Sequence, residues 1–92
     1  GGAGGEVDLG AARTFRRAQI RFDEAGGWRR RRIPVELEYQ NEQGVWTQIW
    51  KGRAYSPICC RAFGAVTARH VRVTAGEAVL RLDLFEDPAS EA

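Results

Sequence analysis

The chain has 92 residues, 43% hydrophobic and 28% charged, with 14 basic and 12 acidic side chains and a net charge of +2. This is the profile of one small globular domain rather than a disordered segment. No run of 18 apolar residues is present to span a membrane as a helix, and the near-balanced charge argues against a dedicated nucleic-acid binder.

Gly1 to Gly5 reads as a flexible lead-in. No basic segment followed by an apolar run opens the chain, so no signal peptide is read there. Glu6 to Leu9 is a short strand that stops at Gly10. Phe15 to Phe22 alternates, with Ala18, Ile20 and Phe22 on one face and Arg17, Gln19 and Arg21 on the other. Ile33 to Tyr39 is the clearest period-two run: Ile33, Val35, Leu37 and Tyr39 point inward, Glu36 and Glu38 outward. Asn41-Glu42-Gln43-Gly44 is a hairpin turn, and Val45 to Lys51 is its return strand. Ile58 to Phe63 and His70 to Thr74 are two further strands. Val79 to Phe85 closes the set, with Leu80, Leu82 and Leu84 inward, and Asp87 to Ala92 is a polar tail. No segment keeps a helical period. About seven short strands at this spacing predict an all-β fold, an antiparallel β-sandwich or barrel, formed by residues 6–86.

The adjacent Cys59 and Cys60 are read as free thiols, one buried, because neighbouring cysteines rarely bridge each other. Neither a metal-binding cysteine spacing nor a disulfide framework is present. Thirteen of the basic residues are arginine and only Lys51 is lysine, a bias that fits a high-GC bacterial gene.

VDLGAARTFRRAQIRF (Val7 to Phe22), IPVELEYQNEQGVWTQIW (Ile33 to Trp50), FGAVTARHVRVTA (Phe63 to Ala75) and AVLRLDLFE (Ala78 to Glu86) occur in this order. Together they resemble the discoidin-like, coagulation factor 5/8 type C domains and the family 32 carbohydrate-binding modules. The third stretch resembles the family's F-x-x-V-x-A-R-Y-V-R-V signature, with His70 at the usual aromatic position. The resemblance implies a galactose-binding-like jelly-roll. It implies a non-catalytic carbohydrate-binding or accessory module of a larger bacterial glycoside hydrolase or cell-surface protein, outside the cell or on its surface. It also places Trp46 inward. The family's further N-terminal portion, which carries its first strands and often a calcium site, has no counterpart in this sequence. No calcium site is visible, and no cofactor is expected.

Catalysis finds no support in the residues. The single histidine, His70, lies within a strand and reads as structural, with no serine and aspartate arranged around it as a triad. Asp23 and Glu24 read as a solvated loop pair rather than a catalytic dyad. Binding is better served. Saccharide recognition uses an aromatic face against the sugar C–H patch and forked donors onto hydroxyls. Trp28 with Arg29, Arg30 and Arg31 supplies both in one loop, and Arg53 with Tyr55 supplies both in another. Hairpin geometry brings the two loops to one end of the sandwich.

Two roles remain open for Trp28: it stacks on a sugar, or it covers the end of the core. The arginines either face a ligand or form a solvated rim paired with Asp23, Glu24 or a neighbouring domain. Arg69 and Arg72 read as structural, Arg72 on the outer face. The expected partners are therefore a carbohydrate or a neighbouring domain or chain. The alternative function is a structural or protein-interaction sandwich with no small-molecule ligand. Binding to an anionic surface ranks third, because Asp23, Glu24, Glu36 and Glu38 flank the arginine run and such binding would have to fall steeply with salt.

Overall fold

The structure, a computed structural model, describes residues 3–23, 28 and 31–86. It contains β1 (Ala3–Phe22), β2 (Ile33–Gln40), β3 (Trp46–Ala54), β4 (Ile58–Ala75) and β5 (Val79–Phe85). All pairings are antiparallel, in the order β3-β2-β4-β1-β5. The fold is all-β, as the alternation predicts.

The two long strands make the sandwich. The first part of β1, Ala3 to Asp8, pairs with Ala75 to His70 of β4. Its last part, Arg17 to Arg21, pairs with Ala62 to Ile58 of β4 and with Phe85 to Arg81 of β5. Between these stretches the register breaks twice, after Asp8 and after Phe15. Extra residues in one strand of a pair bend it and increase its twist. Twenty extended residues would reach about 65 Å, yet the longest dimension of the molecule is 38 Å. Both ends of β1 return to one place: Ala3 faces Ala75, while the Asp23 N–H donates to the Ala78 carbonyl at 3.2 Å. One continuous sheet thus doubles over into two layers, β3-β2-β4-β1 against β4-β1-β5.

The core lies between the layers. Ile33, Val35, Leu37, Val71, Val73 and Ala75 come from the first, and Ala18, Ile20, Phe22 and Cys59 from the second. Phe15 fills the bend and meets Phe63 edge-on, with centroids 6.0 Å apart. Among the described residues no charged or polar side chain is fully buried.

Several details differ from the sequence reading. The seven short strands become five, because Glu6–Leu9 with Phe15–Phe22, and Ile58–Phe63 with His70–Thr74, each merge into one bent strand. Ala3 to Gly5, read as lead-in, pairs with Ala75 to Val73. Leu80 is 63% exposed, because a register shift between Arg21 and Phe22 sets Val79, not Leu80, opposite the buried Phe22. Trp46 faces outward. A bulge sets Leu37 opposite Trp50 but Glu38 opposite Gln48, which reverses the alternation in the first part of β3. The Arg72 guanidinium lies over the Trp46 ring at 4.2 Å, and its Nε donates to Glu38 Oε1 at 2.8 Å. Asp87 to Ala92 lie outside the described residues.

Candidate functional site

Described residues of three connections meet at one end of the sandwich: Asp23, Trp28, Arg31 and Arg32 between β1 and β2, 55–57 between β3 and β4, and 76–78 between β4 and β5. Backbone hydrogen bonds tie them together. Phe22 N donates to Pro57 O at 2.7 Å, and Gly76 N donates to Pro34 O at 3.0 Å. Ile33 stands opposite Ala54. The loop carrying Trp28 and the loop carrying Tyr55 therefore belong to the same end, because hairpin pairing returns the end of β3 to the start of β2.

Trp28 is half-buried and packs against the core. Its ring meets Phe22 at 5.4 Å between centroids, tilted by 41°. Its indole N–H donates to the Asp23 carbonyl at 2.9 Å, which satisfies the polar edge of a mostly apolar ring. The Arg31 guanidinium lies 5.1 Å from the ring centroid, within cation–π range. Arg31 Nη1 also reaches Glu77 Oε2 at 2.9 Å, and both side chains are about three-quarters covered. The Ala78 N–H and Arg31 hold the Glu77 carboxyl below the usual carboxylate range. Trp28 and Arg31 thus act as one unit across two connections.

Arg53 and Tyr55 are more open. Arg53 is exposed and stands opposite Pro34. Its carbonyl accepts from Arg61 Nη2 at 3.4 Å. Tyr55 is 61% exposed and offers the freest aromatic side chain at this end. Arg29 and Arg30 lie outside the described residues. Arg32 is exposed.

Sequence reasoning missed Glu77 as the partner of Arg31. The two are far apart in the chain, and only the β4–β5 turn brings them together. It also missed the role of Gly52. A Cβ there would stand 2.5 Å from Trp50 Cζ2, so the bare backbone makes room for the Trp50 indole, which Arg61 covers at 4.9 Å. Of the two cysteines, Cys59 is buried and Cys60 exposed. Burial pushes the Cys59 thiol above its usual range. Among the described residues, no three His, Cys, Asp or Glu side chains gather as a metal-binding group.

No protein-family model matches the chain, and no curated protein does. Solved structures do match. The family 32 carbohydrate-binding module of Streptococcus pneumoniae EndoD aligns with a TM-score of 0.74 at 17% identity, over 91% of this chain and 69% of that one. The family 32 module of AlyQ, solved with 4,5-unsaturated mannuronic acid, aligns with a TM-score of 0.72 at 17% identity, over 89% and 69%. A Ruminococcus gnavus GH29 fucosidase solved with fucose aligns with a TM-score of 0.74 at 22% identity, over 91% of this chain and 18% of that one. The chain therefore spans about two-thirds of the isolated modules and under a fifth of the fucosidase. Its fold is the discoidin-like, galactose-binding-like β-sandwich of the family 32 modules.

Proposed function

We propose that this domain is a non-catalytic carbohydrate-binding accessory module, acting outside the cell or on its surface as part of a larger bacterial glycoside hydrolase or cell-surface protein. The observation that carries this reading is the fold it shares with the family 32 modules over about nine-tenths of its length. One of those modules was solved with an unsaturated mannuronic acid, and another, from Clostridium perfringens, with GalNAc-β-1,3-galactose.

The binding surface is the end where the three connections meet. Tyr55 offers the open aromatic face for a pyranose ring, and Arg53 stands close in sequence with a free guanidinium fork. Trp28 has Phe22 packed against it and Arg31 lying over its ring. It contributes the floor of the site and holds Arg31 at its border. Saccharides are bound here by stacking and hydrogen bonding, and no residue at this end is assigned a catalytic step.

A glycan array read with the purified domain, its Tyr55→Ala variant and its Arg53→Ala variant tests the reading. Selective retention of saccharides by the wild type, weakened about tenfold or more in Tyr55→Ala, is expected. An array on which the folded wild type retains no glycan counts against it. That result favours a domain whose exposed Tyr55 and Ile58 meet another protein surface.

A further inference from the structure

The opposite end of the sandwich carries a cavity of about 530 Å³, between the β2–β3 hairpin turn and the bend in β4. Tyr39, Asn41, Gln43, Thr67, Arg69 and His70 are among the residues that line it. This end lies a full strand length from Trp28 and Tyr55, because β2 runs from Ile33 at one end to Gln40 at the other.

The polar groups here are held in place by the fold. Asn41 Oδ1 accepts from the N–H groups of Gln43 and Val45, each at 2.9 Å. This fixes the amide and leaves its NH2 as donor. Gln40 Nε2 donates to the Gly44 carbonyl at 3.1 Å, which leaves its oxygen as acceptor. Gly44 has a φ of +80°, so the turn adopts a conformation that favours glycine. Arg69 grips Asp8 with two bonds, Nε to Oδ1 at 2.7 Å and Nη2 to Oδ2 at 3.0 Å, and its Nη1 stays available. Gln43 and His70 add a third amide and an imidazole, and Tyr39 adds an aromatic ring.

The charge balance narrows the ligand. Asp8 offsets the Arg69 charge, and Glu42 adds a carboxylate to the lining. An anion therefore meets no uncompensated arginine. What remains is a set of neutral amide donors and acceptors, those of Asn41 and Gln40 held by hydrogen bonds, beside one aromatic side chain and a charge-balanced arginine, which suits a neutral polyol. We propose that this cavity is a second saccharide site, selective for uncharged sugars and separate from the open end. In a domain that binds glycan chains, two sites at opposite ends would allow one chain to be bridged or two to be held, with a corresponding gain in avidity.

The test uses the isotope-labelled Arg53→Ala/Tyr55→Ala variant, which weakens the first site and leaves the second intact. It is titrated by NMR with galactose, N-acetylgalactosamine, glucose, lactose and galacturonate. The side-chain NH2 signals of Asn41 and Gln43, and the backbone amides of 67–70, are expected to shift with at least one neutral sugar. Adding Gln43→Ala, and separately His70→Ala, is expected to weaken that binding roughly three- to tenfold, the cost of one neutral hydrogen bond. Gln43 lies in an exposed turn, so its variant keeps the test valid if His70→Ala unfolds.

Cavity signals that stay still with every sugar overturn this inference. So do shifts seen only with galacturonate and lost on adding salt, which indicate an anion site. The wild type titrated in parallel separates the two claims. Movement of the 54–56 amides without movement of the cavity sinks the second site alone. Movement of the cavity without the 54–56 amides supports the second site and sinks the first.

Discussion

Removing the Trp28 indole takes away three contacts at once: the packing on Phe22, the hydrogen bond to the Asp23 carbonyl and the ring beneath Arg31. A fully buried tryptophan truncated to alanine costs about 3–5 kcal/mol, and half-burial reduces this to about 2 kcal/mol. Trp28→Ala is therefore expected to lower the thermal midpoint by roughly 10 °C in a domain of this size. A midpoint within a couple of degrees of wild type would show that the ring does not close the core. Asp8 gives a prediction in pH. The Arg69 side chain and then the Gly10 N–H hold its carboxyl well below the usual carboxylate range. A group with a depressed folded pKa stabilises the fold above its unfolded value of about 4, and that contribution fades as the pH falls toward the folded value. Both partners are about half exposed, so the effect is small. Wild type is expected to be the more stable at pH 7, and its advantage over Asp8→Asn to start shrinking only as the pH falls below about 4. A gap that persists unchanged at low pH in thermal scans contradicts this origin.

The strands show where alternation is a sufficient guide and where it is not. Ile33, Val35 and Leu37 are buried as their period of two requires, and so are Ala18, Ile20 and Phe22. Trp46 and Leu80 break the pattern because each lies beyond a register shift, and one extra residue moves the following side chains to the other face. No composition signal marks those bulges in advance. The bends in β1 and β4 were equally hidden: a break in alternation looks the same whether the chain turns back or continues around a corner. The Arg31–Glu77 pair was out of reach for a related reason, since it depends on which turns share an end. β3 also carries a test of packing. Gly52→Ala would drive a methyl into the Trp50 ring, and overpacking of this kind costs about 1–3 kcal/mol. The urea midpoint is expected to fall accordingly. In a Trp50→Leu background the same change is expected to cost less, because residues in contact are not additive. Equal costs in the two backgrounds would remove the steric explanation.

At the scale of the whole molecule, one sheet folded double leaves two ends with different equipment. One end gathers three connections, a capping tryptophan, an arginine–glutamate pair and an open tyrosine. The other gathers fixed amides around a cavity. The sandwich provides a rigid base and the loops carry the recognition. Residues such as Trp28, Arg31, Arg53 and Tyr55 stood out in the sequence as aromatic and cationic side chains in loops, and the pairing of Ile33 with Ala54 explains why they share an end. The cavity did not stand out, because its lining is drawn from a turn, a strand end and a bend that meet only in three dimensions. Saccharide binding at the three-connection end is tested most directly by NMR shift mapping of the wild-type domain with a saccharide retained on the array. The backbone amides of 54–56, 31–33 and 76–78 are expected to shift together, and Tyr55→Ala to weaken the binding about tenfold or more. Binding that leaves all three connections unmoved would contradict it.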